Sequence, residues 1–540
     1  MDGYAIVESF RRLDAGETLT ESICTSISRA RPPDYQLAAL VVRLRDRPRS
    51  PPEEALLNWI YKETPSVAAI VAEVFEGPLQ DSQGTLVAAC DNEDLVLLRR
   101  IQRKQDIGLQ LFGRFIQRYV KGDIPEVVAA FMLALVYKEG LNDPDITALT
   151  MAMTGSGATV DYRDYSENRG RRMLRRYPTG GVSEKVALIL PSVCIALSDT
   201  LPLLTTTVVG RALGFTGGTW DKLKVVPGFT FPAPGSETED VLSKCNAVMC
   251  TTGDLVNPAD RELYLLRSLT STITSDALIV SSIASKHLAL PPHRMLLDIC
   301  FGPGAFLQTK AYAERIAAKL TAVLNGGGVE CSNVFTDTSQ PAGTGVGNVL
   351  EVAEALAVMG APNSLIDWDT RAIQRQRDIV VSQTTLLLCS EFKHLSSENL
   401  KSEVLTLFSS GRVLAAFYTL LIAHSVNQVD AENLCATPAT LIEKLRGVPV
   451  LSRMDGKLTG LNQVRLGNLV NFKLAPRFAV ESAPGQNRSG LRLTKQISDL
   501  VTSGEPLCVV YTQSDEPVKL TEELEEELVS CFGLSATTRV

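Results

Sequence analysis

The sequence predicts an α/β protein with a small all-α domain, a large mixed α/β domain built on a central sheet, and a smaller C-terminal α+β domain. Three changes of texture carry this expectation. Up to about residue 150, apolar residues recur at helical spacing. After residue 155, short runs rich in Val, Ile and Leu alternate with helical patterns and Gly-rich turns, the pattern of a largely parallel sheet. From about residue 446, short strand-like runs are joined by Gly-, Asp- and Pro-containing turns. The expected divisions are 1–104 (a helical N-terminal extension), 105–155 (part of a helical domain of the dimerisation type), 156–445 (the α/β domain) and 446–540 (the α+β domain).

The first region begins with YAIVESFRRLDAGETLTESICTSISRA, in which Thr18 or Thr20 is placed to cap a helix. YQLAALVVRLRDRPRSPPEEALLNWI from Tyr35 matches EVVAAFMLALVYKEGLNDPDITALTM from Glu126 without a gap. Both carry an Ala-Ala pair in an apolar helix, a polar turn and a second helix. Two readings stay open: a duplicated hairpin, or the periodicity that any two helical hairpins share. Residues 63–105 are also expected to be helical. In the second region the apolar runs include KVALILPSVCIAL, SDALIVSSIASKHLAL and RMLLDICFGPGAFL. The Gly-rich turns fall where such sheets bind ligands, after the carboxyl ends of strands. In the third region LTEELEEELVSCFGL reads as an acidic helix.

Composition excludes several classes. The chain of 540 residues is 45% hydrophobic and 21% charged, as expected of a folded soluble protein with two to four domains. A net charge of -8 gives no global field for nucleic acid. Eleven cysteines are scattered without a CxxC pair, and four histidines form no cluster with them, so no metal or other cofactor is expected. The beginning of the chain reads as neither signal nor transit peptide, and there is no run of 18 apolar residues, so the expectation is an intracellular protein that spans no membrane.

One stretch has the shape of an anion cradle. In RRYPTGGVSEKVALIL, Thr179, Gly180 and Gly181 form a glycine-rich turn before an apolar run. A helix starting there would aim its free N–H groups at an anion. The arginines of RDYSENRGRRMLRR just upstream read as a solvated loop, or as a replacement cradle for a bulkier anion or an RNA backbone. GTGVGN at Gly343–Asn348 imitates a dinucleotide loop but lacks its strand and full spacing.

Taken in order, TGGVSEKVALIL, GRALGFTGGTWDKLKVVPGF, NPADRELYLLRSLTSTITSDALIVSSIASKHL, DICFGPGAF and TDTSQPAGTGVGNVLEVAEAL resemble the motifs of the thymidine and pyrimidine-nucleoside phosphorylases. VRLGNLV and SGEPLCVVY resemble that family's C-terminal domain, and the likeness covers roughly residues 105–540. The resemblance implies a helical domain that forms a homodimer, an α/β domain beside it, and reversible phosphorolysis of pyrimidine nucleosides in the cleft between them. It also implies roles for residues. Arg267, Ser282 and Lys286 fall on the pyrimidine contacts, and Ser282 and Lys286, four apart, share a helix face.

The phosphate side of the resemblance is depleted. A Lys-His-Ser triplet of the family is here Arg176, Tyr177 and Pro178, and two further serines fall on Ala187 and Val209. A proline also stands at 303 in place of a serine, and Cys300 in place of a lysine. What remains is Arg176, Thr179, Gly180, Gly181 and Thr219. Each lost charge-assisted donor is worth about 1.5–3 kcal/mol, so phosphate binding is expected to be weak or absent. Two functions follow. One is a family member that keeps the fold and a pyrimidine pocket for a base or nucleoside, has lost phosphorolysis, and serves a binding or structural role as a homodimer or a subunit of a larger assembly. The other is an active pentosyltransferase with a rebuilt anion site.

Overall fold

The helices Asp34–Arg45 and Glu126–Glu139 are apolar on nearly every side, and each carries a run of eight buried residues, Leu37–Leu44 and Ala129–Val136. A helix apolar all round is stable only inside a helical layer, and these two pack on each other. The computed structural model describes residues 2–45, 47–76, 93–212, 214–362, 365–474, 488–513 and 520–535. The chain divides into two compact units. The first comprises Met1–Val160, Thr252–Leu290 and Ala322–Gly327, and the second comprises Asp161–Thr251, Pro291–Thr321 and Gly328–Val540.

In the first unit each central helix opens a hairpin. Asp34–Arg45 is followed by Pro51–Glu63, and Glu126–Glu139 by Asp143–Thr154. Both second helices start on a cap. The Ser50 N–H donates to Glu53 Oε2 at 2.7 Å in a capping box, and the Asp145 N–H donates to Asn142 Oδ1 at 2.7 Å. Thr20 caps Glu21–Ala30, accepting from the Ile23 N–H at 3.4 Å. Residues 77–92 of the expected helical stretch lie outside the described residues. The helices Pro258–Thr270 and Asp276–Ala289 pack on Leu109–Val120, Glu126–Glu139 and Asp143–Thr154. Gly157 admits this return of the chain, because a Cβ there would stand 2.2 Å from the Leu255 carbonyl oxygen. The expected boundaries at 155 and 445 therefore do not coincide with these units. Residues 252–290 belong with the helical layer, because that layer buries their apolar faces.

The second unit is built on five parallel strands: β1 (Arg172–Pro178), β2 (Leu203–Val208), β3 (Ala247–Cys250), β4 (Arg294–Phe301) and β5 (Glu330–Asp337), in the order β3-β2-β1-β4-β5. β2 and β3 are buried throughout and β4 at all but its ends, as expected of parallel strands covered on both faces. The order reverses between β1 and β4, which pair in register from Leu174↔Arg294 to Pro178↔Asp298. That switch point is where such sheets open a crevice. KVALILPSVCIAL is a helix, Val186–Leu197, with Pro191 inside it. Its length and burial on all sides fit a core helix better than a strand.

Two antiparallel sheets complete the second unit. β6 (Gly345–Val346), β7 (Leu445–Leu451), β9 (Gly490–Leu493) and β11 (Pro506–Gln513) run in the order β6-β9-β11-β7. β8 (Gly456–Leu461), β10 (Leu500–Val501) and β12 (Phe532–Ser535) run in the order β10-β8-β12. Val450, Leu458, Leu491, Val510, Leu528 and Phe532 belong to their shared core. The acidic helix expected at the C-terminus spans only Glu522–Val529, because Phe532–Ser535 pairs with β8 as a strand. GTGVGN is also accounted for structurally, since its Gly345 and Val346 pair with Arg492 and Leu491. Among the described residues no single helix is long and apolar enough to cross a membrane.

Candidate functional site

The arginine run is not one solvated loop: Arg163 opens the short helix Arg163–Glu167, Arg169 and Arg171 lie in the turn that follows, and Arg172, Arg175 and Arg176 are in strand β1. Arg175 is 1% exposed and donates to Thr206 Oγ1 at 2.6 Å, and burial lowers its pKa to about 10. The others are engaged too. Arg163 holds Asp161 at 2.9 Å, the Arg169 guanidinium lies 3.6 Å from the Tyr165 ring centroid, Arg171 donates to the Ser198 carbonyl at 3.0 Å, and Arg172 donates to Glu391 at 2.6 Å. Each of these five arginines thus has a partner within its own unit.

Arg176 sits at the end of β1 with 4% exposure and three partners. It donates to Glu184 Oε1 at 2.8 Å, to Gln383 Oε1 at 2.9 Å and to Asp298 Oδ2. Burial opposes its charge, but Glu184 and Asp298 outweigh that, so its pKa stands above the ordinary arginine value. Asp298 in turn accepts from Thr336 Oγ1 at 2.5 Å. The positive charge kept at this position is thus matched by two carboxylates of the same unit.

The Thr179–Gly181 turn follows. The Thr179 N–H donates to the Asp298 carbonyl and the Val182 N–H to the Gly304 carbonyl, both at 2.8 Å. Thr179 Oγ1 accepts from the Cys300 N–H at 2.9 Å, and the Gly180 N–H is directed at the Cys300 sulfur. Burial pushes the Cys300 thiol well above its ordinary range, with Asp298 adding to it. Gly180 has φ +96°, a conformation that favours glycine, and Gly181 bridges to Ala305. These contacts join the turn to the end of β4 and to the loop after it. The helix does not begin at the turn but at Val186, and its Ala187 N–H is directed at Glu184 Oε1, 3.3 Å away. Pro178 is in the sheet opposite Asp298, and Ala187 and Val209 are buried at 5% and 6% exposure.

Thr219 begins a five-residue helix, Thr219–Leu223, held close to the Gly210–Arg211 backbone. A Cβ at Gly218 would stand 2.3 Å from the Gly210 carbonyl oxygen, and the Trp220 N–H donates to that oxygen at 3.2 Å. Thr219 is partly exposed. Three residues on, Lys222 donates to the Glu184 carbonyl at 2.6 Å and pairs with Glu351 at 2.8 Å. A second buried pair, Lys185 and Glu354 at 2.8 Å, has no exposure on either side chain. These two pairs were missed in the sequence. Their signal was the two glutamates inside the otherwise apolar VLEVAEALAV, because a charge buried in an apolar helix requires a partner.

In the first unit, Arg267, Ser282 and Lys286 are all buried, at 3%, 4% and 6% exposure. Ser282 and Lys286 do share a helix face, and what joins them is Asp260. Ser282 Oγ donates to Asp260 Oδ1 at 2.6 Å, Lys286 Nζ donates to Asp260 Oδ2 at 2.7 Å, and Lys286 Nζ also donates to Ser282 Oγ at 3.0 Å. Lys286 Nζ lies 5.4 Å from the Tyr264 ring centroid. Arg267 donates to the Ile273 carbonyl at 2.9 Å and to the Thr272 carbonyl at 3.5 Å. Burial lowers the pKa of Lys286, Asp260 pulls it back up, and the neighbouring Arg267 lowers it further. Asp260 itself was not singled out from the sequence. It stands four residues before Tyr264 and seven before Arg267, on one helix face, and that spacing was the available signal. Chemically the group offers two cationic donors and one hydroxyl, a set suited to carbonyl oxygens and a ring nitrogen.

Comparison with known proteins points to the same family. Thymidine phosphorylase of Agrobacterium fabrum (strain C58) is 31% identical over 452 residues, covering 81% of this chain and 95% of that protein. Pyrimidine-nucleoside phosphorylase of Staphylococcus aureus (strain MSSA476) is 28% identical over 436 residues, covering 79% and 94%. Among solved structures, anthranilate phosphoribosyltransferase of Thermus thermophilus aligns with a TM-score of 0.43 at 12% identity, over 61% of this chain and 99% of that one. No family model matches the sequence. With a relative above 30% identity matched over almost its whole length, this chain belongs to the family of thymidine and pyrimidine-nucleoside phosphorylases.

Proposed function

We infer that this protein binds a pyrimidine base or nucleoside through Arg267, Ser282 and Lys286, and that it carries out phosphorolysis at or near background. One observation carries the reading. Where the resemblance calls for a serine that donates to phosphate, the end of β1 presents Pro178, held in register against Asp298 and lacking both hydroxyl and N–H. Ala187 and Val209, buried at two more such positions, offer no side-chain donor. Arg176 is committed to Glu184, Asp298 and Gln383. The pyrimidine side is supported by the opposite condition: three polar side chains of the right types are kept and buried, two of them ordered around Asp260.

The test is to incubate the protein with thymidine or uridine in millimolar phosphate and follow release of free base. The expected rate is indistinguishable from a blank. Turnover of about 1 per second or more, the usual enzyme range, would overturn the inactive reading. The homodimer implied by the resemblance is proposed as well, and light scattering behind size exclusion should then give twice the 58.5 kDa chain mass.

A further inference from the structure

We propose that the N-terminal extension, which precedes the part of the chain that resembles the family, sets the base site from outside it: Arg43 is a positioning residue that holds the turn 271–275 after the helix Pro258–Thr270, and through that turn the Arg267 guanidinium. The inference rests on the pyrimidine-binding reading above and goes beyond it, because it gives the extension a part in binding.

Arg43 lies in the helix Asp34–Arg45, with its side chain 5% exposed. The Phe10 and Tyr137 ring centroids stand 4.6 and 4.8 Å from its guanidinium. It donates to Asp14 at 2.8 and 3.4 Å, to the Ala39 carbonyl at 3.2 Å and to the Ser271 carbonyl at 2.9 Å. Seven residues earlier, and so on the same face of that helix, Gln36 Nε2 donates to the Leu269 carbonyl at 3.0 Å.

The carbonyls that follow are taken from the other direction. Arg267 donates to those of Thr272 and Ile273, and its own carbonyl accepts from the Ser271 and Thr272 N–H groups. The extension thus holds the carbonyls of 269 and 271, and Arg267 those of 272 and 273. Between them, Ser271 has φ +53°, a left-handed conformation that a serine adopts against its own preference. Such a residue stays there only while its surroundings over-determine it. Arg43 supplies that restraint. Without its bond, Ser271 relaxes toward negative φ, and the two carbonyls that orient the Arg267 side chain shift with it.

The experiment measures, on the full chain by calorimetry, the dissociation constant of uracil. Arg43→Lys keeps the charge beside Asp14 but has no planar fork to span that carboxylate and the Ser271 carbonyl. It should weaken uracil binding about tenfold. Gln36→Leu removes a neutral bond, should weaken binding about threefold, and serves where Arg43→Lys fails to fold. Glycine takes the left-handed conformation freely, so adding Ser271→Gly to either variant should restore binding toward that of the wild type. Leu56→Ala, at a buried residue of the extension that makes none of these contacts, should lower the melting temperature and leave the dissociation constant unchanged.

With uracil bound by the wild type, an unchanged affinity in the folded variant overturns this inference alone. So does a loss in Leu56→Ala as large as that in Arg43→Lys or Gln36→Leu, or a Ser271→Gly double variant that binds no more tightly than its parent, since either makes the extension a support for the fold and not for the turn. No binding of uracil to the wild type overturns the pyrimidine-binding reading and this inference with it.

Discussion

Arg176 and Pro178 are two residues apart in one strand, and they differ in what they can donate. Pro178 lacks the donor outright. Arg176 has donors, but its guanidinium is shared among Glu184, Gln383 and Asp298. Its role is to neutralise carboxylates inside the sheet layer, and breaking such a pair leaves an uncompensated buried charge. Asp298→Ala is therefore expected to destabilise the protein by about 3–5 kcal/mol in urea unfolding. A change below about 1 kcal/mol would mean that Arg176 finds solvent or another partner. The missing donors give a second prediction. Tyr177→His, Pro178→Ser, Ala187→Ser and Val209→Ser together should raise phosphorolysis of thymidine at least about tenfold over the unmodified protein, since each restored donor is worth about 1.5–3 kcal/mol. A quadruple variant that folds and shows no gain would place the defect elsewhere in the site. Of the residues singled out in the sequence, Ser282 and Lys286 were legible as a pair from their spacing of four. The commitments of Arg176 were not, because its partners lie 8, 122 and 207 positions away.

At the scale of elements, a single histidine joins three pieces of the second unit. His424 follows the helix Arg412–Ala423 and is fully buried. Its ring stacks on Phe229 with centroids 4.6 Å apart, Nδ1 donates to the Thr230 carbonyl at 2.8 Å, and Nε2 accepts from the Met249 N–H of β3 at 3.2 Å. Those two bonds require the neutral ring. Burial lowers its pKa from the ordinary 6.5 to about 4, with the Thr230 carbonyl pulling weakly the other way. The unfolded chain thus binds the proton that the folded chain refuses. His424 contributes its full stability above pH 6.5, and loses it as pH falls from 6.5 toward 4, by about 3 kcal/mol in all. The urea midpoint of the wild type should fall across that window more steeply than that of His424→Gln, which has nothing to titrate. Parallel curves would show that protonation is accommodated without breaking the link. Nothing in the sequence marked this histidine, since its partners are a backbone carbonyl and a backbone N–H brought from 194 and 175 residues away. Helical hairpins were legible at this scale, because caps such as Thr20, Ser50 and Asn142 act within three residues of themselves.

For the whole molecule, the proposed selectivity between the two halves of a nucleoside-plus-phosphate substrate has a simple readout. A ligand that binds only the folded state raises the melting temperature with its concentration. Uracil or thymine at about 100 times its dissociation constant should add about 2.7 kcal/mol of stability, seen as a shift of the melting curve. Sulfate or phosphate at the same ionic strength should give no more than sodium chloride does. A phosphate shift as large as that of uracil would contradict the depleted cradle. Local chemistry was enough to read the fold class and the order of its textures. Caps, turn glycines, apolar periodicity and the five ordered motifs are all written within short windows, and so is the lack of a side-chain donor at Pro178, Ala187 and Val209. The tertiary structure alone decided what depends on distant residues meeting. It sent 252–290 to the helical unit, because an apolar face is buried against whatever layer folding brings to it. It placed Arg175 and Arg176, the end of an arginine run, inside the sheet layer, because their buried guanidinium groups found Thr206, Glu184 and Asp298 there. It also set Asp260 between Ser282 and Lys286, and a hydroxyl's direction is fixed by the partner that takes its proton.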